Sequence, residues 1–157
     1  VEVTLVGSNE TPLMTVRTWA ASDYLSPGGH APFAVRLLEA PQGVAGARAR
    51  LVRAEAVGAI TAGFVPLEAG DVVGKMAGPQ YHVTGWVRNM GSQPVKRVSI
   101  VVTLYDEGGA VIGFRQVTWS EDRVLAPGDQ EVFELTVTPM GARVPQAFTW
   151  NAWGVAQ

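Results

Sequence analysis

Residues 98–109 have the sequence Val-Ser-Ile-Val-Val-Thr-Leu-Tyr-Asp-Glu-Gly-Gly. Every second residue from Val98 to Leu104 is aliphatic, which places one apolar row against a core, because successive side chains of a β-strand point to opposite faces. The closing Asp-Glu-Gly-Gly favours a tight hairpin turn, since glycine adopts positive φ without steric cost. The run from Phe133 to Val137 alternates in the same way. This part of the chain therefore predicts antiparallel strands joined by short turns.

Short strands are indicated over the whole chain of 157 residues. Its 18 glycines and 10 prolines are spread between runs rich in Val, Leu, Thr and aromatic residues, a spacing typical of a β-sandwich or barrel. Only residues 45–62 have a helix-like content of Ala and Arg. Their apolar residues fit a 3.6-residue period poorly, so we predict a strand there too. The predicted fold class is all-β.

Short motifs occur twice, about 100 residues apart. The matching pairs are Val3-Thr4-Leu5 with Val102-Thr103-Leu104, Thr18-Trp19 with Thr118-Trp119, Leu25-Ser26-Pro27-Gly28 with Leu125-Ala126-Pro127-Gly128, and Phe33 with Phe133. The offset is 99 residues before the first turn and 100 after it, which predicts that one of the two hairpins is a residue shorter. We expect a duplicated β-sandwich, since self-similarity at a fixed spacing is the signature of repeated structure.

The second copy also carries a recognisable series of motifs. In order they are Gly85-Trp86-Val87-Arg88-Asn89, Thr103-Leu104-Tyr105-Asp106 with Gly108-Gly109, Leu125-Ala126-Pro127-Gly128, and Phe133. Over residues 81–137 this order resembles the FxLYD type of bacterial Ig-like domain, with Val102 where the family has Phe. The first copy keeps Pro27-Gly28 and Phe33 but has no Tyr-Asp after Leu5. The resemblance implies tandem immunoglobulin-like or fibronectin-III-like β-sandwiches, no catalytic motif, and an extracellular or cell-envelope location, secreted or attached to a lipoprotein.

The two copies differ in completeness. We divide the chain into an incomplete sandwich at 1–57, a connector with strand-forming residues at 58–78, and a complete sandwich at 79–157. The strand predicted at 81–89 has no counterpart before Val3, and a sandwich without a strand exposes apolar surface and a free sheet edge. Three explanations remain open: Val1 is a cut site in a longer chain, residues 59–65 of the connector supply the strand, or a neighbouring subunit donates it and builds a linear polymer.

The composition excludes several classes of protein. The chain has no Cys, which rules out thiol catalysis, disulfides and thiolate metal sites. Its net charge of -2 provides no basic face for nucleic acid. No apolar run reaches 18 residues, so no segment is predicted to span a membrane.

Candidate catalytic and metal-binding groups are sparse. His30 lies in a predicted turn and His82 on the outer face of a predicted strand, and no Ser-His-Asp set, His-x-x-x-His pair or Gly-rich phosphate loop occurs. The carboxylates belong to separate segments: Asp106-Glu107, Glu121-Asp122, Asp129 with Glu131, and Glu68 with Asp71. Calcium sites draw several oxygen ligands from one loop. We predict no catalytic residues, no metal and no cofactor.

Two of the five tryptophans are candidate ligand-facing residues. Trp19 and Trp119 match in the duplication, which predicts a repeated packing role. Trp150 and Trp153 are three apart on a predicted strand and so lie on opposite faces, one in the core and one exposed. We choose Trp153 as the exposed one. Trp86 is the second candidate, because its face also carries polar residues.

The expected function is that of a non-catalytic structural or protein-interaction module of the bacterial cell envelope or extracellular space. Its expected partner is protein, either another copy of itself or an envelope component, and assembly would use an open sheet edge. The alternative is a carbohydrate-binding module of a secreted protein, with sugar rings stacked on Trp86 and Trp153.

Overall fold

The computed structural model describes residues 1–56, 63–141 and 143–157. Strands make up 51% of the chain and helices 0%, which confirms the all-β prediction. The strands are β1 Glu2–Val6, β2 Pro12–Arg17, β3 Gly46–Arg50, β4 Phe64–Pro66, β5 Glu68–Ala77, β6 Gln80–Arg88, β7 Val95–Tyr105, β8 Val111–Thr118, β9 Gln130–Val137 and β10 Ala147–Ala156.

The strands form three antiparallel sheets. Sheet A has the order β2-β1-β3 and belongs to the first half of the chain, residues 1–56. Sheet B (β4-β10-β7-β8) and sheet C (β5-β6-β9) belong to the second half, residues 63–157. Sheets B and C enclose one hydrophobic core, the arrangement of a β-sandwich. Its members include Val83, Val87, Val98, Ile100, Val102, Leu104, Ile112, Leu125, Phe133, Leu135 and Val137.

Strand β7 is buried on both faces. Its inner residues lie in the core, and its outer residues Ser99, Val101 and Thr103 are also 3–4% exposed. The first half of the chain lies against this outer face, where Asn151 Nδ2 donates to the carbonyl of Tyr24 at 3.2 Å. A strand covered on both faces has a nearly continuous apolar sequence, which explains the run of Val and Ile in β7.

The hairpins β1–β2 and β7–β8 have the same register. Leu5 pairs with Met14, and 99 residues later Leu104 pairs with Gly113; both ladders shift at the next residue. The turn hydrogen bonds also correspond: Glu10 N–H donates to the Gly7 carbonyl, and Gly109 N–H donates to the Asp106 carbonyl. Glu10 and Gly109 both have positive φ, 63° and 77°. The two hairpins are therefore equally long. The predicted difference in hairpin length is wrong, because the extra residue of the second half is Val117, which follows the part of β8 that corresponds to β2.

The third strand of sheet A completes the correspondence. Val6 pairs with Gly46 as Tyr105 pairs with Ala147, and both ladders run without a shift to the pairs Glu2–Arg50 and Val101–Asn151. The later turns correspond as well, since Gly29 N–H donates to the Ser26 carbonyl and Asp129 N–H to the Ala126 carbonyl. Sheet A thus has the strand order and register of β8-β7-β10.

The predicted connector at 58–78 contains strands of the second half. Phe64–Pro66 pairs with β10, and β5 pairs with β6. The sandwich of sheets B and C therefore starts at Phe64, whereas the sequence predicts its start at residue 79. Residues 64–65 do not supply a strand to the first half, and residues 59–62 lie outside the described residues. The strand predicted within 45–62 is confirmed at Gly46–Arg50, whereas residues 51–56 form no regular element.

Asn89 is a buried polar residue at the end of β6, in the sandwich formed by sheets B and C. Its side chain is 0% exposed. It donates to the carbonyls of Gln93 at 2.8 Å and Leu125 at 3.0 Å, and accepts from Gly91 N–H at 2.9 Å. These bonds connect the β6–β7 loop to the turn that precedes β9. They also satisfy buried backbone groups that no water can reach.

We expect Asn89→Ala to lower the free energy of unfolding by about 2 kcal/mol, because it leaves buried backbone groups without partners. The measurement is urea unfolding followed by tryptophan fluorescence. The matched control is Asn9→Ala, whose side chain accepts one bond from Thr11 N–H in an exposed turn and should change stability by less than about 0.5 kcal/mol. Equal losses in the two variants would contradict the assignment.

Candidate functional site

Sheet A is amphipathic. One face carries only apolar side chains, those of Val3, Leu5, Met14, Val16, Ala47 and Ala49. We call it the apolar face. The opposite side, the polar face, carries Glu2, Thr4, Thr15, Arg17, Arg48 and Arg50. A sheet of this kind needs a second layer against its apolar face.

The polar face is fastened by ion pairs across all three strands. Glu2 Oε2 accepts from Arg17 Nε at 3.1 Å, and Glu2 Oε1 accepts from Arg50 Nε at 2.7 Å. The Glu2 side chain is only 11% exposed between these guanidinium groups. Hydrogen bonds from Arg50, and then from Arg17, lower the pKa of Glu2 below its ordinary value of 4.5. The carboxylate thus ties β1 to both of its neighbours.

No second sheet covers the apolar face. Strand β1 contacts β2 and β3 extensively, and among the described residues no strand of sheet A has more than marginal contact with a strand of another sheet. The first half also exposes many large apolar side chains, those of Leu13, Trp19, Leu25, Phe33, Leu38, Val44, Leu51 and Val52. Exposed apolar side chains in this number are available for contact with another polypeptide.

Residues that match between the halves differ sharply in burial. Leu25 is 43% exposed and Leu125 is 1% exposed; Phe33 is 38% exposed and Phe133 is 4% exposed. Leu125 exchanges two backbone hydrogen bonds with Val95. Phe133 packs so closely beneath β6 that a Cβ on Gly85 would lie 3.0 Å from its ring. These contacts of Leu125 and Phe133 come from residues 80–98.

Trp19 and Trp119 show the same contrast. Trp119 is half-buried against the core, and the Arg123 guanidinium lies 3.8 Å from its ring centroid. Trp19 is 88% exposed, and Asp23 stands where the second half has Arg123. The predicted packing role therefore holds for Trp119 and is wrong for Trp19. Trp19 packs against no hydrophobic core among the described residues, and no arginine lies over its ring.

A groove of about 890 Å³ separates the first half from the outer face of sheet B. We call it the central groove. Tyr24 and Phe64 stack within it, with ring centroids 6.1 Å apart. Its other lining residues include Trp19, Leu51, Val52, Trp153, Arg17, Arg53, Arg97, Asp23 and Glu55. Aromatic rings beside charged groups suit an amphipathic ligand. The sequence did not predict this groove, because it depends on contacts between distant segments.

Trp86 lies on the outer face of sheet C and is half-buried. Its ring packs over Gly70, where a Cβ would lie 2.1 Å from Cζ2. Nε1 donates to Asp71 Oδ2 at 2.9 Å, and the Arg88 guanidinium lies 5.3 Å from the ring centroid. The glycine explains how the indole lies flat on the strand. Part of the ring remains open, so Trp86 stays a candidate.

Trp153 is placed differently from the prediction. It is 1% exposed, whereas Trp150 is 43% exposed. Trp153 pairs with Ser99 and Pro66 on the outer face of sheet B, on the floor of the central groove. Opposite faces for the two residues are confirmed, but the choice of Trp153 as the exposed one is wrong. Strand alternation assigns a face and does not reveal that the first half covers it.

The histidines and carboxylates lie apart from one another. His30 is exposed in its turn, and His82 Nδ1 lies 3.7 Å from Glu134 Oε1. Asp106 accepts from Gly108 and Ala110 N–H within its hairpin turn. A hydrogen bond from Ser120 lowers the pKa of Asp122. Within residues 1–56, 63–141 and 143–157, no group of three or more His, Asp or Glu side chains is placed to hold a metal ion.

The chain was compared with models of known protein families, with curated proteins and with solved structures, and none of them matches. The resemblance to FxLYD domains therefore stays a prediction. Among the described residues no helix has the length and hydropathy needed to cross a membrane.

The ion pairs of the polar face predict how Glu2 titrates. We expect its carboxyl to titrate below 4.5 in an NMR pH series, and Arg50→Gln to raise that pKa more than Arg17→Gln does. Because the pKa is lowered by folding, the stabilisation is present above 4.5 and is lost as the pH falls through the folded value. Arg48→Gln, which removes the partner of Glu10, is the control and should leave Glu2 unchanged. A Glu2 that titrates at 4.5 would contradict the bridging geometry.

Proposed function

We propose that the chain is a non-catalytic structural or protein-interaction module with two related immunoglobulin-like units, the first of which consists of a single sheet. The observation that carries this proposal is the common strand order, register and turn geometry of β2-β1-β3 and β8-β7-β10. Register depends on the apolar pattern and the turn geometry together. Agreement in three strands and two turns therefore supports a common origin for the two halves.

The strand arrangement of the second half supports an immunoglobulin-like or fibronectin-III-like sandwich. Strands β5, β6 and β9 form one sheet, and β7, β8 and β10 belong to the other, as in sandwiches with this connectivity. Strand β4 pairs with the outer edge of β10, the place of the last strand in such a fold. Here that place is taken by a segment that precedes the sandwich in sequence.

The interaction role is supported by surfaces that the described residues leave open. No second sheet packs against the apolar face of sheet A in the described part of the chain, although Val3 at its centre is only 7% exposed. In sheet B, β10 pairs with β7 from Ala147 to Ala156 but with β4 only from Trp153 to Val155. The rest of that edge has no strand beside it among the described residues. Open edges and apolar faces pair with other polypeptides. The envelope or extracellular location rests on the resemblance to FxLYD domains.

Light scattering behind a sizing column tests whether the chain uses these surfaces between copies. We expect species heavier than the 16.7 kDa monomer as the concentration rises. Val16→Asp, on the apolar face of sheet A, should reduce association. Val132→Asp, at a position 74% exposed on sheet C, should not. A monomer at every concentration, or equal effects of the two variants, would overturn self-assembly.

Carbohydrate binding is the second candidate function, and the bare indole of Trp19 favours it. This ring lines the central groove together with Asp23 and Tyr24, so one groove offers an aromatic face and a carboxylate acceptor. Sugars are bound by stacking on such faces and by hydrogen bonds to such acceptors. Trp86 offers a second, partly open ring.

Tryptophan fluorescence during titration with a panel of soluble polysaccharides tests this second function. Binding at the central groove predicts a saturable change that Trp19→Ala abolishes and Trp86→Ala preserves. The reverse pattern would place the sugar on sheet C, as the sequence predicts. A flat response over the whole panel would remove the carbohydrate function.

A further inference from the structure

The turn between β1 and β2 has the sequence Ser8-Asn9-Glu10-Thr11. Its last three residues form an Asn-x-Thr sequence, the acceptor pattern for N-linked glycans, and the middle residue is not proline, which would disqualify the pattern. The chain has two other asparagines, Asn89 and Asn151, and neither is followed two residues later by Ser or Thr. Asn9 is therefore the one asparagine of this sequence in an acceptor pattern.

The groups that such a modification requires are accessible. All four residues of the turn are exposed. Among the described residues, Asn9 Nδ2 donates no hydrogen bond and the Thr11 hydroxyl has no partner; the bond between these two residues uses the Asn9 oxygen and the Thr11 backbone. An enzyme can thus reach the amide nitrogen and the hydroxyl without opening the hairpin.

The local geometry suits the chemistry of the Asn9 amide. Thr11 N–H donates to Asn9 Oδ1 at 3.3 Å. A hydrogen bond to this oxygen stabilises the negative charge that develops there when Nδ2 gives up a proton, so it favours the nucleophilic form of the amide. The ion pair between Glu10 Oε1 and Arg48 Nη2, 2.6 Å apart, ties the same turn to β3.

The corresponding turn of the second half has a different arrangement. There Asp106 Oδ1 accepts from the N–H groups of Gly108 and Ala110, at 3.1 and 2.9 Å. In the first half, Gly7 stands in the place of Asp106 and has no side chain to accept these bonds. The backbone N–H that corresponds to that of Ala110 is therefore left to the carboxamide of Asn9.

The turn also lies at the end of sheet A that is farther from the central groove. The groove is lined by Arg17 and Leu51, which adjoin the pairs of Glu2 with Arg17 and Arg50 at the start of β1. The turn follows the other end of β1, roughly 15 Å along the strand. A glycan attached there starts away from the groove.

We propose that Asn9 is the acceptor of an N-linked oligosaccharide delivered by a polyprenyl-pyrophosphate carrier. This proposal rests on the proposed extracellular location, because this modification belongs to secreted chains. Asn9 Nδ2 loses one proton to a base of the transferase and bonds to C1 of the first sugar. The bond from C1 to the pyrophosphate oxygen breaks, and the polyprenyl pyrophosphate leaves with the electron pair.

The acceptor is tested on the folded chain with a purified single-subunit oligosaccharyltransferase that recognises Asn-x-Thr and with a polyprenyl-pyrophosphate-linked oligosaccharide. We expect intact mass spectrometry to show a gain of one oligosaccharide, and peptide mapping to place it on the tryptic peptide that ends at Arg17. A folded chain that gains no oligosaccharide would overturn the proposal.

Three variants separate the acceptor from a general effect on the turn. Asn9→Gln and Thr11→Ala should abolish the transfer, although Thr11→Ala keeps the backbone N–H that bonds to Asn9. Thr11→Ser, which restores the hydroxyl, should recover it. Circular dichroism verifies that each variant is folded. Transfer that persists in Asn9→Gln would mean that the sugar is attached elsewhere, and would contradict the assignment.

The protein isolated from the cells that make it shows whether the acceptor is used. We expect the peptide that ends at Arg17 to carry a mass increment and to release sugar fragment ions. An unmodified Asn9 in protein recovered outside the cytoplasm would overturn the acceptor role alone. Recovery from the cytoplasm only would remove the extracellular location, and the acceptor role with it, while light scattering would still decide the proposed interaction function.

Discussion

The apolar side chains on one face of each sheet need a second layer, because a β-sheet gains little from its hydrogen bonds unless its apolar face is removed from water. Sheet B has such a layer on both sides. Sheet C covers its inner face, and the first half of the chain lies against its outer face, where Trp153 is 1% exposed. Sheet A has the strand order and register of β8-β7-β10 and no second sheet. The exposure of Leu25 and Phe33 follows from this difference.

Burial also depends on backbone anchoring at the turns. In the second half, Asn89 holds the carbonyl of Leu125, which exchanges further bonds with Val95. This network draws the turn into the sandwich and places Leu125 in the core. The first half has the same turn, with Gly28 at positive φ, but among the described residues no hydrogen bond to the Leu25 carbonyl takes the place of the one that Asn89 makes to Leu125. The turn forms by its local geometry, and its leucine stays 43% exposed because nothing draws it inward.

Local features of the fold are predictable from the sequence. Which sheet face is covered by a segment distant in the sequence is not. Alternation identifies β7 and β9, and the repeated motifs give the correspondence of the two halves that the strand registers support. The same alternation places Trp150 and Trp153 on opposite faces but cannot tell which face a distant segment covers. The exposure of Trp19 has a visible cause in the sequence, Asp23 in the place of Arg123. The sequence alone does not show that this difference matters, because only the structure reveals that Arg123 lies over the Trp119 ring.

An open sheet must keep its shape without the layer that a complete sandwich provides, and the polar face explains how sheet A does so. Exposed ion pairs contribute little individually. Glu2, however, is bonded to strands on both sides and is mostly shielded from water by the two arginines, so its pairs also fix the register of three strands. Thr4 and Thr15 add a hydroxyl contact on the same face. Because these bonds lie on the face opposite to the apolar one, they hold the strands in register without involving the apolar side chains.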